Sequence, residues 1–427
     1  MNAKRLLSYV PLLLVAASVS SASARVTPAA AGAPSPAVQT RYISPSGSDS
    51  NPCSRALPCL SFARVYSISA PGNLVKVAAG QYGAQTLATD NARLTARGPV
   101  TFDGGAGLRR GAVVVEQLNL TGANNVVFEN MTFGTGSPHN RAWYQRFSSD
   151  TLCDRCFIHG QLAIDGDDSR IAFRNGEVCC YEAGDSDPQI GAERGATAAG
   201  AVQPYGVSFE NESFHDIDST SPATHTECLQ VLAVHRLTIE RSKFYRCNVD
   251  GNGSKAGILF SGFDCQGSAT TPTAKALNCG TNDDYWDVTI ENSMFDAGPT
   301  PREGGNFLAF QWDNQFDDAI DCRNILIRHN SVIGGVLWGC GSAAETVVRG
   351  NIFSTGVRSR RPQCNGLFSY NIWEHGPPCH GRHGYVHRVR YVSRRPGPEF
   401  DLHLKPGSFG IGLEPHSGDL GVGRSQQ

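Results

Sequence analysis

The 427 residues carry 37 Lys and Arg against 39 Asp and Glu, a formal charge of -2, and 40% of them are hydrophobic, with 20 Phe and 12 Tyr. That much apolar material excludes wholesale disorder, and a slightly acidic balance argues against nucleic acid, whose binding rewards a basic excess. Charged residues make up 18% of the chain, below the roughly 25% of an average soluble domain, so a large core is expected.

In chain order, Lys4 and Arg5, an apolar run from Leu6 to Val19 and then Ala22-Ser23-Ala24 follow the plan of a secretory signal peptide, read as residues 1–24. A membrane anchor is the alternative, but the run falls short of the roughly 20 residues that span a bilayer, and no later segment is long enough. Residues 25–40 are rich in Ala, Pro, Ser and Thr and read as a linker or spacer. All 14 Cys lie beyond it, and an even count in an exported chain favours up to seven disulfides. A zinc tetrad of Cys153, Cys156, Cys179 and Cys180 is the competing reading.

From about residue 41 a degenerate repeat runs through the chain. Apolar residues alternate, an Asn-bearing turn follows, then another apolar residue: Val127-Phe128-Glu129-Asn130 with Phe133, Val207-Ser208-Phe209-Glu210-Asn211 with Phe214, Val288-Thr289-Ile290-Glu291-Asn292 with Phe295. Weaker copies continue to Phe368-Ser369-Tyr370-Asn371 with Trp373. Period-two alternation makes these strands with one apolar face, and a further strand precedes each pair, as in Leu229-Gln230-Val231, Ile258-Leu259-Phe260 and Leu308-Ala309-Phe310. Each coil thus has a first, a second and a third strand. The turn from second to third is short and carries Asn at 130, 175, 211, 292 and 371, a residue that tolerates a left-handed corner; from 330 onward the Asn drifts by one position. Ser61 to Ile68, with Phe62, Val65 and Tyr66 at helical spacing, reads as an amphipathic helix capping the first coil.

These strands, together with Arg41-Tyr42-Ile43-Ser44-Pro45, Val75-Lys76-Val77 and Phe400-Asp401-Leu402-His403-Leu404, make the chain resemble the right-handed parallel β-helix proteins of the pectate-lyase-like superfamily over residues 41–415. The resemblance implies an all-β, single-stranded solenoid of ten or eleven coils, and residues 416–427 are then expected as a disordered tail. It does not imply one reaction, because this solenoid hosts lyases, hydrolases and non-catalytic adhesins. Spacings near one coil pair Cys228 with Cys247 and Cys322 with Cys340; Cys53 with Cys59, Cys265 with Cys279 and Cys364 with Cys379 would close local loops. Cys153, Cys156, Cys179 and Cys180 are expected to form two bridges between neighbouring coils.

Insertions at 182–198, 214–226, 262–285, 296–305 and 313–322 all flank first strands, so the first-strand face becomes the floor of a groove fit for a linear polymer. There His225, Glu227, Asp216 and Asp218 are the candidate acids and bases, with Lys255 on the same wall and His215 beside them. Gln230, Gln311, Asp313 and Trp312 are candidate substrate contacts, and Trp143, Tyr144, Trp286 and Trp338 would stack on sugars if they faced outward. Asp165, Asp167 and Asp168 are a candidate calcium set, although turn chemistry also explains them. Gly166-Asp167-Asp168 resembles the Gly-Asp-Asp element of polygalacturonases, whose other elements are absent. The expected protein is secreted or cell-surface, monomeric, and partnered by an extracellular polysaccharide. It is either a polysaccharide lyase or glycoside hydrolase, with calcium the one cofactor indicated, or a non-catalytic binding solenoid or adhesin.

Overall fold

Strands that alternate apolar and polar residues have one face to bury, and a parallel stack of them buries it along a shared interior. The computed structural model describes residues 39–94, 97–107, 109–137, 141–165, 168–183, 187–191, 204–218, 226–231, 234–247, 255–261, 285–296, 307–313, 322–338, 346–354, 357–359, 368–375, 382–395, 397–414 and 418–423. In 255–256, 261, 285–286, 307–313, 322, 335–338 and 357–359 the description is of backbone alone. Among these residues the second strands form a parallel sheet of twelve, from Thr40–Ile43 to Phe368–Ser369. The third strands form another of twelve, from Gly80–Tyr82 to Tyr385–Val386, and the first strands one of ten, from Gln85–Ala88 to Val357–Ser359. Each first strand leads into a second and a third, so the described residues form a parallel β-helix of ten complete coils, about 50 Å long at about 4.8 Å per coil. No helix among the described residues is long and apolar enough to cross a membrane.

Register places like on like. Leu237, Val288 and Ile325 are partners on successive coils, as are Ile239, Ile290, Ile327 and Val348. Phe214, Phe244 and Phe295 stack at 4.8 Å with interplanar angles of 5° and 7°, all fully buried. The helix Phe62–Ile68 begins at Ser61, whose hydroxyl accepts from Arg64 N at 3.1 Å, and buries Phe62, Val65 and Tyr66. Phe62 stacks on Phe102 at 4.9 Å.

The second-to-third corner holds two adjacent columns where the sequence pattern shows one. The left-handed residue is Asn130, Arg155, Asn175, Asn211, Arg241, Asn292, His329, Gly350 and Tyr370 in turn. The next position faces inward, and there, from Gly176 to Asn351, each coil's backbone N–H donates to a side-chain oxygen of the following coil, beginning with Gly176 N to Glu212 Oε1 at 3.0 Å. Glu212 N donates to Ser242 Oγ at 3.1 Å, Ser242 N to Ser293 Oγ at 3.1 Å and Ser293 N to Asn330 Oδ1 at 2.9 Å. Asn330 N then donates to Asn351 Oδ1 and Asn351 N to Asn371 Oδ1, both at 2.9 Å. The drift of Asn near 330 is therefore a change of column: Asn371 belongs to the buried ladder, and Tyr370 (φ 55°) turns the corner. Where the ladder begins, Gly176 has no room for a side chain, since a Cβ would lie 2.2 Å from the Cys156 carbonyl oxygen.

The bridges Cys53–Cys59 and Cys228–Cys247 form as expected, with Cα separations of 4.6 and 5.4 Å. The bridges expected between coils do not. Cys153 bonds Cys156 and Cys179 bonds Cys180. Cys153 occupies the inward column of Phe128 and Phe173, and the corner itself brings Cys156 within 5.8 Å Cα to Cα, so the reversal of the chain supplies the geometry. These bonds also take both cysteines of each pair out of the proposed zinc tetrad. The pairings of Cys322 with Cys340, Cys265 with Cys279 and Cys364 with Cys379 fall outside the described side chains.

The chain then returns along the outside. The hairpin of Tyr391–Ser393 with Asp401–Leu404 and residues up to Val422 lie on the third-strand face, where Val389, Phe400, Leu402, Leu404 and Leu420 pack with Tyr245, Met294, Ile352 and Ile372. Lys243 Nζ donates to Phe400 O at 2.8 Å, and Glu414 receives Arg349 at 2.5 Å and His329 at 2.6 Å. The tail expected to be disordered from 416 is packed where it is described: Leu420 is fully buried and Gly421 N donates to Gly350 O at 2.7 Å.

Candidate functional site

The third-to-first corner around residue 227 gathers the acids singled out in the sequence. Third strands run further than the repeat pattern implied, to Glu182 and to Asp218, with Tyr181 and Ile217 as their last inward residues. The segment 182–198, read as an insertion, contains a first strand of its own, Gln189–Ile190, paired to Gln230 and Val231. This strand is only two residues long, too short to show alternation. It brings Asp187 to the corner one coil before Glu227.

Glu227 has the inward parity of Leu229 and Val231 and is only 1% exposed, so it sits inside the corner rather than at an open strand mouth. Its partner is the side chain of Asp187, itself 5% exposed. Burial disfavours the charged carboxylate and pushes Glu227 up to about 7, against which the hydrogen bond with Asp187 pulls downward. Two carboxyls in one hydrogen bond share a proton more readily than they both ionise. Tyr181 lies close enough that the Asp187 charge adds to burial in raising its phenol. Gln161 Nε2 donates to Asp187 O at 3.1 Å, and Cys228–Cys247 ties the strand to the next third strand.

Beside the pair, the outward column of the first-strand face reads Asn119, Tyr144, Ala163, Gln189, Gln230, Leu259, Gln311 by register. Gln189 and Gln230 are half-buried, and the Arg141 guanidinium lies 4.8 Å over the Tyr144 ring. Trp312 pairs by backbone with Phe260 and Asp313 with Ser261, and the side chains of Trp312 and Asp313 lie outside those described. Trp143 is buried in the core between Phe128 and Phe173 and is not a sugar platform. Lys255 pairs by backbone with Thr226, which places it one coil beyond Glu227. His225 and the side chains of Lys255, Gln311, Trp286 and Trp338 lie outside the described residues and side chains.

Asp216 does not turn toward the Glu227 pair. Asp216 has a left-handed backbone (φ 51°) and turns to the outer third-strand face, where it meets Arg246 at 2.6 Å and His215 Nδ1 at 2.7 Å. Asp218 ends its strand half-exposed, its carbonyl accepting from Ala183 N. In the calcium set, Asp168 is 1% exposed and accepts from Ser148 N at 2.6 Å, Asp165 is 5% exposed, and Asp167 lies outside the described residues. The Asp168 carboxylate is engaged by its own corner.

No protein-family model matches the chain, and no curated protein matches it. Several solved structures follow a similar path. Pectate lyase Pel9A does so at 15% identity, covering 91% of this chain and 98% of its own, with a TM-score of 0.49. A rhamnogalacturonan lyase matches at 11% identity over 78% of this chain and 84% of that one, with a TM-score of 0.36. The PL6 family alginate lyase AlyGC matches at 11% identity over 77% and 52%, with a TM-score of 0.35.

Proposed function

We propose that the chain is an exported, carbohydrate-active β-helix that holds an extended polysaccharide along its first-strand face and moves a proton with Glu227 and Asp187. The observation that carries this reading is the pair itself, because an acid pushed up to about 7 by burial is matched to proton transfer near neutral pH. Its geometry also favours one reaction class. Glycosidases keep their two carboxyls about 5–5.5 Å or 6.5–9.5 Å apart to straddle the bond, whereas these two share a hydrogen bond and act as a single proton-handling unit. A single unit suits β-elimination: a C–H proton beside a uronate carboxyl is removed, the C–O bond to the leaving sugar breaks, and the proton passes to the departing oxygen. His225 and Lys255 are carried as partners of the pair, and the Gln189–Gln230–Gln311 column as the polymer's hydrogen-bonding floor. The four described disulfides support an oxidising, extracellular setting.

A second reading, a binding solenoid without catalysis, is favoured by the 1% exposure of Glu227. Incubating the exported chain with acidic and neutral polysaccharides, with and without calcium, separates the two. Unsaturated ends that fall about 100-fold or more in Glu227→Gln and Asp187→Asn support elimination. Binding without any new chain ends on the whole panel leaves the second reading in place.

A further inference from the structure

Among the described residues the return of the chain covers the third-strand face as far as Tyr245, whose ring meets Phe400 at 5.2 Å. On the next coils the same outward column continues with His215 and then Cys179. His215 stacks on Tyr245 at 4.8 Å with an interplanar angle of 6°. Cys179 is fully buried and bonded to its neighbour Cys180, which faces solvent, with His159 Nε2 at 2.7 Å from the Cys180 carbonyl oxygen. Both sulfurs and a ring nitrogen of His215 lie within 4.8 Å of one another. His215 is held on both sides, Nδ1 by Asp216 Oδ2 at 2.7 Å and Nε2 by Glu177 Oε2 at 2.8 Å. Arg110 pairs with Glu177, lies 3.3 Å over the Phe157 ring, and brings Nη2 to 3.7 Å from Cys179 Sγ.

We propose that Cys179, Cys180 and His215 form a soft-metal site, closed by the disulfide and opened by a dithiol, with zinc(II) as its ion. A zinc ion with Zn–S near 2.3 Å and Zn–N near 2.0 Å needs its donors about 3.5–3.8 Å apart, a spacing that cleavage of the S–S bond allows these three atoms to adopt. Asp216 on Nδ1 leaves Nε2 as the donor, the carboxylate–histidine–metal arrangement, and Glu177 beside Nε2 is the nearest fourth ligand. Opening is directional. A thiolate of the dithiol attacks solvent-facing Cys180 Sγ, the S–S bond breaks, and Cys179 leaves as a thiolate beside the Arg110 guanidinium. The second thiol of the reductant then resolves the mixed disulfide, so the reductant is oxidised to its disulfide by two electrons and both cysteines are released. The other described bridges, Cys53–Cys59, Cys153–Cys156 and Cys228–Cys247, have every sulfur-bearing residue buried, so a mild dithiol selects this one.

The test is native mass spectrometry and zinc titration on the folded chain, oxidised and after mild dithiol treatment, beside the double variant Cys179→Ser, Cys180→Ser. The reduced wild type is expected to bind one zinc more than the reduced double variant, and the oxidised wild type no more than that variant. His215→Ala should weaken the extra ion at least 10-fold, and Asp216→Asn by a smaller factor, with X-ray absorption reporting sulfur and nitrogen neighbours. Equal zinc uptake by reduced wild type and double variant, undiminished affinity in His215→Ala, or loss of the β-sheet circular dichroism on mild reduction would each overturn the proposal.

Discussion

Glu227→Gln should make the protein's stability less dependent on pH, and the size of the change follows from where Glu227 sits. In the fold its carboxyl is pushed up to about 7, while in the unfolded chain it returns to its ordinary value of 4.5. Between these pH values the folded state holds a proton that the unfolded state has released, so stability is fully present below about 4.5 and declines as pH rises through about 7. A difference of about 2.5 pH units at 1.36 kcal/mol each amounts to about 3 kcal/mol. Gln copies the protonated acid in shape and hydrogen bonding, so the variant should match wild type at pH 4.5 and exceed it by about 3 kcal/mol at pH 8. Urea unfolding of both proteins at the two pH values, followed by circular dichroism with the slope held in common, measures the gap; groups that do not touch the pair cancel, and Asp187 is counted with Glu227 as one titrating unit. A gap that stays constant within 1 kcal/mol, or a variant less stable than wild type at pH 8, would show that Glu227 is ionised in the fold and refute the shared-proton pair.

Asn351→Ala removes an acceptor from Asn330 N and Nδ2 and donors to Ile327 O and Asn371 Oδ1, all buried, and should cost about 4 kcal/mol in the same unfolding assay, against less than about 0.5 kcal/mol for exposed Val347→Ala. Peptide mapping of the unreduced protein should find Cys153 joined to Cys156 and Cys179 to Cys180; a cross-linked pair drawn one from each set would contradict the described corners. Glu414→Ala breaks the contacts to Arg349 and His329 and should cost about 2 kcal/mol, with limited proteolysis cutting after residue 405 faster than in wild type while the coils before it stay protected.

The solenoid was legible because its signal repeats. Leu237 and Ile239, Val288 and Ile290, and Ile325 and Ile327 each announce the same inward pair, and the structure stacks them in register. The helix at 62–68 and the one-coil bridge Cys228–Cys247 were legible for the same kind of reason, a short-range spacing with one geometric solution. The site was less so. Glu227 was found from its neighbourhood, but Asp187 was hidden just ahead of a strand of two residues, Gln189–Ile190, where no period can show. Asp216 was grouped with Glu227 by closeness in sequence, yet its left-handed backbone turns it to the opposite side of the corner, a single φ angle that residue type does not dictate. The adjacent bridge Cys179–Cys180 defeats a rule of spacing altogether, because one residue of separation is shorter than any turn.

The returning segment also acts as a ruler. Its contacts reach back 157 residues, from Phe400 to Lys243, and it meets the stack again at Ser331, Arg349 and Gly350. Repeat proteins gain and lose units readily because each unit touches only its neighbours. Here, a coil inserted or deleted between 245 and 349 would shift one anchor relative to the other by about 4.8 Å, too far for Lys243 and Arg349 to be reached by the same segment. Over that stretch the number of coils is set by the length of chain that comes after them, whereas the coils before Tyr245, which bear the acid pair and the adjacent cysteines, are left free to vary in number.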